Sequence, residues 1–215
     1  MSFESAIKTF HARRGRSTVT KTALLANVVP KFLVPDSVTD VRSYLSAENL
    51  TIDFGCGMGD ATIFLLKSGN HVVAIDVHTP GICRLADWAD RTGNNHLGLV
   101  HGDGLPFLHQ CVAADSVDSF LVLFPDPWPK ARHNKRRVIQ PEFLDLVATK
   151  LKPEGRLIIA TDIASYAQHI REVLQANHSL VALPETVELP DTKFGTRAKN
   201  EGREISTFVL GRTGS

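Results

Sequence analysis

The chain is 215 residues long, 43% hydrophobic and 22% charged, with a formal net charge of +1. This size and apolar content suit one α/β domain with a short extension, and they exclude global disorder. Cys56, Cys83 and Cys111 lack CxxC spacing and the nine histidines lack metal-ligand spacing, which excludes a disulfide framework and leaves no metal site expected.

Residues 1–35 hold six Lys/Arg (Lys8, Arg13, Arg14, Arg16, Lys21, Lys31) against one acid, Glu4. They read as a basic N-terminal arm, to about Lys21, followed by a short helix over Ala23–Leu33 that Pro35 helps end. A single domain over 36–215 is expected to follow. From Leu50 onward strands and helices alternate, which predicts a mostly parallel, doubly wound sheet covered on both faces. Strand one is Leu50–Phe54, running into Gly55-Cys56-Gly57-Met58-Gly59, and Asp60 is expected to cap a helix to Lys67 that Gly69 stops. His71–Val77 is the second strand. Thr79-Pro80 opens a helix with Ile82, Leu85, Ala86 and Ala89 on one face, and Gly93 closes it. Leu97–Val100 and Phe120–Phe124 are strands three and four. A helix over Pro141–Leu151, a strand over Arg156–Ala160, a helix over Ser165–Gln175 and a last strand over Ile205–Leu210 complete the pattern.

Acids fall at or just after the ends of five strands: Asp53, Asp76, Asp103, Asp126 and Asp162, separated by 23, 27, 23 and 36 residues. Ligands of open α/β sheets bind at that edge. One acid at a loop start is ordinarily a cap or a solvated side chain, whereas five in phase on one rim point to a site. The glycine spacing narrows the ligand. A dinucleotide loop is G-x-G-x-x-G, with the last glycine packing beside a pyrophosphate. Here Gly55, Gly57 and Gly59 give G-x-G-x-G, and carboxylates stand on either side at Asp53 and Asp60. Those acids suit the ammonium or sulfonium of S-adenosylmethionine better than a pyrophosphate. Asp76 is then placed for the ribose hydroxyls and Asp103 for the adenine amino group.

The most distinctive string is Phe124-Pro125-Asp126-Pro127-Trp128-Pro129-Lys130, followed by Ala131-Arg132-His133-Asn134-Lys135-Arg136-Arg137. Prolines restrict the backbone on both sides of Asp126, and the basic run after it suits a polyanion. Together with Thr9–Arg16, Asp53–Gly59, Ile75–Gly81, Ala160-Thr161-Asp162 and Thr192-Lys193-Phe194, this string resembles the tRNA (guanine-N7) methyltransferases that modify the variable loop. The resemblance implies a Rossmann-like class I S-adenosylmethionine-dependent methyltransferase that takes tRNA as substrate. It implies that Asp53, Gly55, Gly57, Gly59, Asp76, Asp103 and Asp126 surround the cofactor. Lys130, Asp162 and Thr192 would hold the base or its neighbours, with Arg132, His133, Asn134, Lys135, Arg136, Arg137, Lys193 and Arg197 facing RNA. The family more often has glutamate where this chain has Asp53 and Asp76. It also generally continues Thr-Lys-Phe with a glutamate that helps hold the guanine, and here that position is Gly195. Glu201, Glu204 or Asp162 are the candidates to take over that role.

Guanine N7 carries an in-plane lone pair and no proton, so no general base is needed. Asp126 is the candidate catalytic residue, acting by position and charge. Trp128 is either a base-stacking side chain or a local packing plug. Competing readings are a methyltransferase for a small molecule or protein, and a non-catalytic RNA-binding homologue suggested by Gly195. A nicotinamide-dependent reductase fits the glycine spacing least. No apolar run is long enough to span a bilayer and no signal-peptide core is visible, so a cytoplasmic protein is expected, with monomer and homodimer both open.

Overall fold

A computed structural model describes Thr9 and residues 19–214. Most of the basic arm, including Arg13, Arg14 and Arg16, therefore lies outside the described residues. Seven strands form one sheet: β1 (Leu50–Phe54), β2 (His71–Asp76), β3 (Leu97–His101), β4 (Val117–Leu123), β5 (Leu151–Thr161), β6 (Leu180–Ala182) and β7 (Ser206–Arg212). Their order is β3-β2-β1-β4-β5-β7-β6. The first five run parallel, and β7 is antiparallel to both β5 and β6. The order reverses between β1 and β4, so their carboxyl ends open onto a crevice.

The parallel strands are near-continuous apolar runs because helices cover both faces. Ile52, Val73, Ile75, Phe120 and Ile159 pack on one side with Phe107, Leu144 and Tyr166. Val72, Ala74 and Leu99 pack on the other with Ile82, Leu85, Ala86 and Ala89. The helices are α1 (Val19–Asn27), α2 (Val41–Tyr44), α3 (Asp60–Lys67), α4 (Thr79–Thr92), α5 (Gly104–Cys111), α6 (Pro141–Lys150), α7 (Ala164–Ala176) and α8 (Lys193–Asn200).

Several expectations shift. The first helix begins earlier and stops at Asn27; a separate 3₁₀ turn, Val29–Lys31, follows because Pro30 lacks an N–H and starts a new turn. Asp60 is not a cap. Gly59 occupies that place with φ +79°, and Asp60 is the first helical residue. Strand β5 begins at Leu151, not Arg156. Val117 pairs with Leu151 and Ser119 with Arg156, so Lys152–Gly155 form a bulge within the strand. Helix α5 grows from Asp103, whose carboxyl accepts from Leu105 N at 3.1 Å, despite Gly104 and Pro106.

Far from the crevice, Asp118 on β4 accepts from Lys152 Nζ (2.6 Å), Arg42 Nη1 (2.7 Å) and Leu50 N (2.8 Å). This one carboxyl joins β5, α2 and β1 to β4. Burial opposes its ionisation, but those donors outweigh it and hold its pKa below the ordinary value.

Candidate active site

Beyond the carboxyl ends of β1, β2 and β4 lies a cavity of about 630 Å³. Its floor is the glycine loop. Gly55, Gly57 and Gly59 all have positive φ, at +82°, +56° and +79°. An added Cβ at Gly55 or Gly57 would meet nothing within 4 Å, so these two are glycines for backbone shape. Gly81 is a glycine for space: a Cβ there would overlap the Gly57 carbonyl oxygen. The start of α4 thus lies directly against the loop, a close approach that the quoted His78-Thr79-Pro80-Gly81 string contained but did not reveal.

Asp53, Asp76, Asp103 and Asp126 all line this cavity. Asp53 is buried in β1 and accepts from Thr62 Oγ1 at 2.6 Å. Burial, with the nearby Asp76 carboxyl adding to it, raises its pKa from 3.8 to about 6. Asp76 accepts from Gly57 N (2.6 Å) and His78 N (2.8 Å), one on each oxygen. Burial nonetheless keeps its pKa above the ordinary value. Asp60 differs from expectation. It lines the cavity, but its carboxyl is spoken for by Arg84 Nη1 at 2.6 Å and Lys193 N at 3.2 Å, so it is a tie rather than a free counter-charge.

The proline-bracketed loop holds two bulky residues in the left-handed region, Phe124 (φ +52°) and Trp128 (φ +44°). Such backbone costs on the order of 1–3 kcal/mol per residue and persists only where its surroundings enforce it. Phe124 N donates to Ala160 O at 2.8 Å, and Trp128 Nε1 donates to Thr9 O at 3.1 Å. Trp128 is buried, with the Arg136 guanidinium 4.9 Å from its ring centroid, so it is the packing plug and not a platform for a base.

Arg137 corrects the expected RNA set. It is only 4% exposed, its Nε donates to Pro127 O at 2.9 Å, and its guanidinium lies 5.0 Å from the centroid of the buried Tyr166 ring. Burial puts it out of reach of a phosphate. It braces the loop from beneath. Asn134 is also partly withdrawn, with Oδ1 buried and its carbonyl accepting from Gln140 Nε2. Lys130, Arg132, Lys135 and Arg136 remain exposed along the 3₁₀ segment Ala131–Arg136, and His133 turns its ring edge to Trp128.

Thr192, Lys193 and Phe194 form the third wall of the cavity, at the start of α8. Thr192 caps the helix by accepting from Gly195 N at 3.0 Å. A Cβ at Gly195 would lie 3.2 Å from Thr192 Oγ1 and 3.3 Å from Phe124 Cζ, so a side chain there would need these neighbours to give by a few tenths of an ångström. Neither neighbouring acid is idle. Glu201 is held by Arg197 (2.7 Å) and Arg203 (3.2 Å), and Asp162, which does not line the cavity, pairs with Arg203 at 2.9 Å.

Comparison with known proteins agrees with this geometry. A family model described as "Putative methyltransferase" matches residues 47–208. A Nocardia farcinica protein named tRNA (guanine-N(7)-)-methyltransferase is 35% identical, with 96% of this chain and 84% of that one covered. A Streptomyces avermitilis protein of the same name is 37% identical, covering 98% and 77%. The chain belongs to the tRNA (guanine-N7)-methyltransferase family. At the level of fold, the aminoglycoside resistance methyltransferase NpmB1 superposes with a TM-score of 0.60 at 19% identity, covering 80% of this chain and 92% of that one. The sheet is accordingly the Rossmann-like class I methyltransferase sheet. S-adenosylmethionine, the family's cofactor, fits the residues present. The cavity volume lies in the range of small-molecule sites, and its glycine loop and four acids suit a cation bearing ribose hydroxyls.

Proposed function

We propose that this chain transfers a methyl group from S-adenosylmethionine to N7 of a guanine in the variable loop of tRNA. The observation that carries the reading is the convergence of four aspartates, from the ends of four strands, on one cavity. S-adenosylmethionine, when bound, supplies an electrophilic methyl group on a cationic sulfur. In this reading Asp53 and Asp76 supply the compensating charge and the ribose acceptor, and Asp103 the adenine acceptor.

Asp126 stands at the cavity wall formed by the proline-bracketed loop. Its oxygens are acceptors only, and they match the N1–H and N2–H₂ edge of guanine. Adenine presents an acceptor at N1, so the same carboxyl disfavours it. As N7 bonds to the methyl carbon, its lone pair would become that bond, the S–CH₃ bond would break with its electron pair left on sulfur to give neutral S-adenosylhomocysteine, and the positive charge would pass to the purine with no proton moved. A carboxyl beside the base stabilises that charge best in the transition state. Lys130, Arg132, Lys135 and Arg136 grip phosphates near the base, as do Lys8, Arg13, Arg14 and Arg16 of the basic arm, in a cytoplasmic setting. RNA is typically read in this way, at bases splayed from a strand held by its backbone.

Incubation of the protein with unmodified tRNA and methyl-labelled donor, followed by nucleoside mapping, tests the reading. Label in 7-methylguanosine at a variable-loop position is the expected result. Label in another nucleoside, or none, overturns it.

A further inference from the structure

Among the described residues, Phe194 is the one large apolar side chain that both lines the cavity and is strongly exposed, at 53%. Its helix has other anchors. Helix α8 is seated through the buried Gly195 and Ala198, through the Thr192 cap, and through Lys193 N on Asp60. The Gly195 backbone lies against the Phe124 ring, at the start of the loop that carries Asp126. An aromatic ring is thus held at the cavity mouth, on the wall formed by α8, while Asp126 sits on the wall formed by the loop.

We infer that Phe194 stacks on the target guanine and stabilises the positive charge that the purine acquires as N7 is methylated. The inference rests on the methyl-transfer reading above. Asp126 addresses the edge of the base, where hydrogen bonds discriminate; a phenyl ring addresses its face. A neutral guanine stacks on such a ring through area and dispersion. A 7-methylated guanine is cationic, and the negative face of the ring quadrupole attracts it further. The ring therefore binds the transition state more strongly than the substrate, which raises kcat and not only affinity. Four features set this residue apart from a core phenylalanine: its exposure, its place on the cavity wall, the anchoring of α8 by other residues, and the cavity it shares with Asp126.

The test compares steady-state methylation of unmodified tRNA by the wild type and by Phe194→Ala, Phe194→Leu and Phe194→Trp, with donor affinity measured by calorimetry for each. Phe194→Ala is expected to lose about tenfold or more in kcat/KM, within the range found for base–aromatic stacks. Phe194→Leu keeps most of the apolar area but no quadrupole. It is expected to retain KM within about twofold and to lose about threefold or more in kcat. Phe194→Trp restores the wild-type rate. Donor affinity stays within about twofold throughout, since α8 keeps its Thr192 cap, its buried Gly195 and Ala198 and its tie to Asp60 in each variant. A Leu variant as fast as the wild type overturns the inference, because the ring is then only an apolar cover. Loss of donor affinity in the Ala variant matching its loss of rate also overturns it, by assigning the ring to the donor. A wild type that methylates no tRNA overturns the functional reading and this inference together.

Discussion

Asp53 is a carboxyl buried in a central strand, and its pKa of about 6 is the consequence. The sign of the resulting pH dependence follows from linkage. A carboxyl raised from 3.8 to about 6 stabilises the fold fully below the lower value, and that contribution is lost as pH rises through the upper one. Asp53→Asn should therefore stabilise the ligand-free protein at pH 7, by on the order of 1–3 kcal/mol in denaturant titration. A cationic donor has the opposite preference and draws the carboxyl into its charged form. Donor affinity should fall as pH drops through about 6, with proton uptake by the free protein visible as buffer-dependent binding heats. Asp53→Asn should abolish that buffer dependence and weaken the donor. Equal heats in two buffers of different ionisation enthalpy at pH 5.5 would sink this account. For Asp126→Ala the expected outcome is a 10²–10³-fold loss of kcat, roughly that of removing one preorganised polar group, with tRNA affinity nearly unchanged in gel shift. The four aspartates were legible in the sequence because acids recur there at strand-to-strand spacing. The pairing of Asp60 with Arg84 was not, since 24 residues separate them and no local pattern joins them.

At the scale of elements, the loop from Phe124 to Arg137 is a small assembly braced from below. Arg137 and Arg136 are neighbours in sequence with opposite fates. The first is buried over Tyr166 and holds the Pro127 carbonyl; the second is exposed above Trp128. Arg137→Ala should destabilise the protein by about 2–4 kcal/mol and slow methyl transfer, because it removes a buried donor and the brace on the Pro127 carbonyl next to the left-handed Trp128. Arg136→Ala should cost less than about 1 kcal/mol and act on RNA affinity instead. Thermal unfolding of the two variants separates the roles, and equal shifts would show that the buried contact is not what holds the loop. Sequence reading placed both arginines on one basic face because a charge run carries no burial signal. It placed β1 residue for residue and the face of α4 well, where apolar periodicity is strong. It missed α5 and α8, the first because it opens with Gly-x-Pro, the second because it is mostly polar and buries only Gly195 and Ala198. The approach of Gly81 to Gly57 was equally invisible. Gly81→Ala should push α4 away from the loop and reduce donor affinity about tenfold or more, measured by calorimetry.

For the molecule as a whole, the alternation of strands and helices was enough to expect a parallel doubly wound sheet. The antiparallel edge made by β6 and β7 came from a three-residue strand that no period-two pattern could mark. In the proposed reading the basic islands set the behaviour toward RNA. Replacing Arg132 and Lys135 with alanine should weaken tRNA binding at all sequences. It should also flatten the plot of log affinity against log salt by about one per phosphate contact removed. An unchanged slope would place those side chains away from the RNA.

Asp60 reaches Arg84 on α4 with one oxygen and the first amide of α8 with the other. In the proposed reading, Asp60 thus ties the segment beside the methyl donor to the helix beside the acceptor base. A ligand that settles one side leaves less disorder for the second ligand to quench, and thermodynamic reciprocity makes the benefit mutual. Donor analogue and tRNA should each tighten the other by the same factor, and Asp60→Ala should uncouple them.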